Sequence, residues 1–161
     1  MTYSAGGTVG SAGLALLAAQ TPDARLGEVY HAAPDADFRR FVDDLAAYAP
    51  LAQRVTTAVN LGDSALRLAQ TINRASRAGR PDLRELSPDA ARWLLGASSD
   101  LGMTILQIRP EDMPNTPATS HTFWYDDPWV SNDLLLLLLF GLPNADRALS
   151  EQTSPSGGTY W

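Results

Sequence analysis

Met1-Thr2-Tyr3-Ser4-Ala5-Gly6-Gly7 opens the chain, and its reading decides how everything after it is arranged. It reads as the sharp turn from a strand into a helix with the incoming strand cut away and a serine at the bend. Such an elbow forces the serine into strained backbone angles and tolerates only tiny residues beside it, which Ala5 and Gly6 supply. The usual pattern, G-x-S-x-G, has glycine two positions before the serine. Here Thr2 stands there. Ala5 and Gly6 also suit a merely flexible terminus, so the motif needs support from the rest of the chain.

Working outward, Gly7 to Gln20 is rich in small residues and then apolar, as in a helix packed tightly on a sheet, and Thr21-Pro22-Asp23 ends it. Ser4 then sits at that helix's N-terminus, where unpaired N–H groups and the helix dipole favour negative charge. The Ala5 N–H is the candidate oxyanion donor. Leu26 to Ala33 reads as a buried parallel strand, and Asp35 or Asp37 caps a helix carrying Phe38, Phe41, Val42, Leu45 and Tyr48. Arg54 to Asn60, rich in Val and Thr, is a second strand, followed by a helix with Leu66, Leu68 and Ile72. A polar loop over 77–87, a short helix over 88–95 and a third strand over 103–108 follow. A loop over 109–120 with three prolines delivers His121, and Asp126-Asp127-Pro128 starts a leucine-rich helix, read as buried, that Gly141 and Pro143 end. Residues 1–149 form one α/β domain of three parallel strands with helices on both faces. Residues 150–161 lack periodicity and read as a flexible tail.

Composition sets the outer bounds. With 161 residues, 45% of them apolar and 19% charged, the chain is a single-domain globular protein with a real core. Its net charge is −6, and its basic residues, all arginine, are spread rather than clustered, which argues against nucleic acid and anionic membrane as partners. The absence of cysteine removes disulfides, thiolate metal sites and a cysteine nucleophile. The apolar runs over 14–19 and 134–140 are too short to span a bilayer, and the first lacks the basic flank of a signal peptide. Compartment is unconstrained, cytoplasmic by default.

In a parallel α/β sheet, reactive groups gather at the carboxyl ends of the strands. Ser4, Asp63 and His121 fall there, in the order serine, acid, histidine. Each has a plainer reading: Asp63 as a helix N-cap, His121 as a loop histidine bonded to backbone. His31 is a rival base and Asp35 a rival acid. Asp126 and Asp127 are explained by a helix start, and Phe123, Trp124, Tyr125 and Trp129 line an acyl pocket or fill core.

From Val29 to Leu149 the chain resembles the C-terminal half of an uncharacterised, esterase-like branch of the α/β-hydrolase superfamily. The resemblance is carried by Ala33-Pro34-Asp35-Ala36-Asp37, Asn60-Leu61-Gly62-Asp63-Ser64-Ala65-Leu66, Arg77-Ala78-Gly79 and Ser120-His121-Thr122-Phe123-Trp124. It implies Ser4 as nucleophile, Asp63 as orienting acid and His121 as base, acting on a small-molecule ester with no cofactor and no metal. In that fold an elbow follows the fifth strand and a second oxyanion donor comes after the third. Here only three residues precede Ser4. The resemblance therefore implies a partial α/β-hydrolase fold with its N-terminal strands missing, a fragment or a late start codon, and impaired activity. Three further features are expected: no strand bonds before the elbow, a first strand with an open apolar edge prone to self-association, and, as the alternative to an enzyme, a catalytically inactive remnant.

Overall fold

The structure is a computed structural model that describes residues 1–113, 115–155 and 157–161, without the side chains of Ser98 and Ser99. Pro114 and Ser156, within the stretches read as a proline-rich loop and a tail, lie outside the described residues. Strands and helices alternate: β1 (Thr2–Tyr3), α1 (Gly6–Gln20), β2 (Leu26–Ala32), α2 (Phe38–Tyr48), β3 (Ala52–Val59), α3 (Ser64–Asn73), α4 (Pro88–Asp100) and β4 (Met103–Gln107). Then come a single turn of helix, α5 (Phe123–Asp126), the longer α6 (Pro128–Phe140), and two short strands, β5 (Gln152–Thr153) and β6 (Thr159–Tyr160).

The first four strands form one parallel sheet in the order β1-β2-β3-β4, and each is joined to the next by a helical crossover. Strand period 2 sends alternate side chains to opposite layers. Val29 of β2, Val55 of β3 and Met103 of β4 face a core built with Phe38, Phe41, Val42 and Leu45 of α2 and Leu94 of α4. Tyr30, Ala32, Ala58 and Leu106 face the other way, onto Phe123 of α5 and Val130, Leu134 and Leu137 of α6. The protein is thus a mixed α/β fold with a four-stranded parallel sheet and helices flanking both faces.

Three expectations need correction. The sheet has four strands rather than three, because Thr2 and Tyr3 pair in parallel with His31 and Ala32, so the elbow does have strand pairing before it. A two-residue strand is too short to leave a periodic signal. The leucine-rich helix is present, but it buries one face only: Leu134 and Leu137 are buried, whereas Leu135, Leu138, Leu139 and Phe140 are exposed. Residues 150–161, expected as a flexible tail, instead place an antiparallel hairpin beside β4. Trp161 N–H donates to Ile105 O (2.9 Å) and Gln107 N–H to Trp161 O (2.6 Å), so the end of the chain satisfies the outer edge of the sheet. Ser154 bonds Gly157 and Gly158 across the turn, where Gly157 sits at φ +85°.

Candidate active site

The elbow is held from several sides. Ser4 adopts φ +51°, a left-handed conformation that is costly for a residue with a Cβ. Its N–H donates to Ala32 O (3.1 Å), and its own carbonyl accepts from Gly7 N (2.8 Å) and Asp35 N (2.9 Å). Those bonds fix the bend between β1 and α1. Ala5 is the N-cap of α1 and is exposed.

Asp63 follows the end of β3 as the N-cap of α3 and is fully buried. Its Oδ1 accepts from Leu66 N at 2.9 Å, and its Oδ2 lies 2.6 Å from His121 Nδ1. Asp63 therefore caps α3 with one oxygen and meets His121 with the other. His121 Nε2 lies 2.8 Å from Ser4 Oγ. An ionised carboxylate can only accept, so Nδ1 is the donor to Asp63, and in a neutral ring the Nε2 lone pair is then the acceptor for the Ser4 hydroxyl. Ser4, His121 and Asp63 form one continuous chain of hydrogen bonds across residues that are far apart in sequence.

The loop bearing His121 is fastened by a residue whose role sequence reasoning missed. Asn60, at the end of β3 and 1% exposed, donates from Nδ2 to Ser120 O (2.8 Å) and Ala118 O (3.3 Å), and its Oδ1 accepts from Gly62 N (2.9 Å). Its signal was a lone amide closing an apolar strand just before Gly62-Asp63. Ser64 N adds a bond to Thr119 O (3.2 Å). Tyr3 was missed as well. Its ring centroid is 5.2 Å from that of His121, 5.4 Å from Trp124 and 6.4 Å from Tyr125, so aromatics wall one side of the histidine. Burial, together with the nearby Tyr125, Asp63 and Asp126, pushes the Tyr3 phenol above its ordinary pKa.

The rivals lie elsewhere. Asp35 is paired with Arg77, which donates from Nε to its Oδ1 (2.5 Å) and from Nη2 to its carbonyl (3.0 Å). His31 is fully buried between Thr2 Oγ1 and Tyr48 Oη. Asp126 accepts from the Thr122 hydroxyl, while Asp127 caps α6 by accepting from Trp129 N and Val130 N. Of the aromatics offered for a pocket, Phe123 is core, Trp124 and Tyr125 flank Tyr3, and Trp129 is exposed. Among the described residues, no group of three or more His, Asp and Glu is placed to hold a metal ion. Comparison of the chain with family models, curated proteins and solved structures finds no match in any of the three.

Proposed function

We propose that this protein is a serine hydrolase acting on carboxylic esters through an acyl-serine intermediate, with the partial sheet corresponding to the part of an α/β-hydrolase fold from the elbow onward. The observation that carries the reading is the unbroken contact chain from Ser4 Oγ through the His121 ring to Asp63. Supporting it are the left-handed backbone of Ser4, the helix N-terminus directly after it and the serine, acid, histidine order. In this mechanism Ser4 Oγ attacks the ester carbonyl while His121 Nε2 takes its proton, and the Ala5 N–H donates to the oxyanion that forms. Collapse expels the alkoxide, which receives the proton from Nε2. Water, deprotonated by the same nitrogen, then cleaves the acyl-serine bond. Asp63 holds the Nδ1–H tautomer and stabilises the imidazolium.

A fluorophosphonate probe tests this, because Ser4 Oγ would displace fluoride and keep the phosphonyl group. The expected result is labelling of the folded protein that disappears in Ser4→Ala and falls by orders of magnitude in His121→Ala. A folded sample that takes up no label would instead favour the inactive remnant.

A further inference from the structure

Thr2 stands where an elbow ordinarily has glycine, and the structure shows what its side chain does there. Its γ-methyl lies over α1 at Gly10, where a Cβ would come within 2.4 Å of it. Its hydroxyl lies 2.6 Å from His31 Nδ1, and the far side of that ring meets Tyr48 Oη at 2.7 Å. His31 and Tyr48 are both fully buried, and the Phe41 ring stands edge-on to the imidazole with centroids 5.1 Å apart. Thr2 is also the direct β-partner of His31.

We propose that Thr2, His31 and Tyr48 are positioning residues, a buried hydrogen-bonded strut that fixes the bend at Ser4. β1 has only two residues, so backbone pairing alone gives the elbow little purchase. The strut adds a side-chain anchor two residues before Ser4 and ties it to α2, an element that is itself packed on the sheet. A neutral imidazole suits this place. One ring nitrogen donates and the other accepts, and the two hydroxyls can serve either tautomer, so both ring nitrogens are satisfied without a buried charge. The methyl only packs against Gly10, whereas the hydroxyl on His31 carries the strut. The catalytic part of this inference rests on Ser4 being the nucleophile. The structural part does not.

The test separates hydroxyl from shape. Thr2→Val keeps the branched outline and loses the hydrogen bond, whereas Thr2→Ser keeps the hydroxyl and loses the methyl. Two readouts are taken on each folded protein: amide hydrogen exchange at Ser4 and Asp35, whose N–H groups close the elbow, with β3 amides as internal reference, and the rate of fluorophosphonate labelling. For Thr2→Val we expect exchange at Ser4 and Asp35 to quicken about tenfold relative to β3, and labelling to slow roughly ten- to a hundredfold, the loss that small misplacements of a reacting group produce. Thr2→Ser should stay near the parent on both. Tyr48→Phe, which loses one hydroxyl at the far end, should shift both in the direction of Thr2→Val. If Val matches the parent and Ser does not, Thr2 is packing alone and the proposal is overturned. Should the parent take no label, the esterase reading fails, while the exchange ratios still decide the strut.

Discussion

Asp63 spends its two carboxylate oxygens on different partners: Oδ1 caps α3 and Oδ2 faces His121. Substitutions can therefore separate the two contributions. Asparagine caps a helix about as well as aspartate, so Asp63→Asn should leave stability within about 1 kcal/mol of the parent. An amide nitrogen turned toward Nδ1 would favour the wrong tautomer, which costs about four orders of magnitude in turnover in the serine, histidine, aspartate system. Asp63→Ala should lose both, as seen by urea denaturation and labelling rate together. Equal labelling of Asp63→Asn and parent would remove Asp63 from the proposed mechanism. His31 gives a second residue-scale expectation. Burial, followed by the nearby N-terminal charge, lowers its pKa from the ordinary 6.5 to about 4. Between those values the unfolded chain binds a proton that the folded one refuses, so stability rises with pH across the window and is lost on acidification from about 6.5 to about 4. The loss attributable to this group is on the order of 3 kcal/mol. Urea midpoints at pH 7 and 4.5 should differ less in His31→Gln than in the parent; identical pH dependence would mean that His31 is protonated without penalty.

At the scale of elements, the order of strands and helices was legible because period and punctuation both mark it. Val29, Val55 and Met103 sit in apolar runs, Asp37 and Asp63 precede helical spacing, and Gly141 ends α6 at φ +60°. β1 was not legible, since two residues carry no period, and neither was the hairpin, whose turn residues are those of a disordered tail. Faces were legible only in part. In α3 Leu66 is buried while Leu68 and Ile72, at 62% and 71% exposure, are not, because sequence spacing names a helix without saying what stands opposite it. The loop leading to His121 was read only as a connection, yet Asn60 and Ser64, at the two ends of the turn between β3 and α3, fasten it. Gly62 matters by what it lacks: a Cβ there would lie 2.2 Å from Ala118 O, a backbone atom that cannot yield by rotating. Gly62→Ala should push that loop outward, destabilise the protein by about 1–3 kcal/mol and slow labelling of Ser4 out of proportion, because His121 rides on the same loop. A labelling rate equal to the parent's in folded Gly62→Ala would show that the loop moves without taking His121 along.

Across the whole molecule the two edges of the sheet are treated differently. The β4 edge is covered by the hairpin, through bonds between Trp161 and both Ile105 and Gln107. On the other side β1 reaches only His31 and Ala32 of β2, so Leu26 to Tyr30 have no strand partner from β1. α1 lies over β1 through Gly6 and Gly10 and turns Val9 and Leu16 outward at 75% and 58% exposure. An unpaired edge beside an apolar helix face is a template for a second copy. Full burial of a Val or Leu side chain contributes about 1.5–3 kcal/mol. Four such side chains across a two-fold contact contribute about 6–12 kcal/mol, comparable with the roughly 4–15 kcal/mol lost on association, so the expected self-association is weak and depends on concentration. Sedimentation over a hundredfold concentration range should show a rising average mass, and replacing Val9 and Leu16 together by lysine should abolish the rise while leaving far-ultraviolet dichroism unchanged. The exposed end of α6, with Leu139 and Phe140, serves as the control. If lysines at those two positions restore the monomer and lysines on α1 do not, copies meet through α6 and the open edge is not the contact. A parent that stays monomeric throughout would show that the open edge and the apolar face of α1 do not bring copies together.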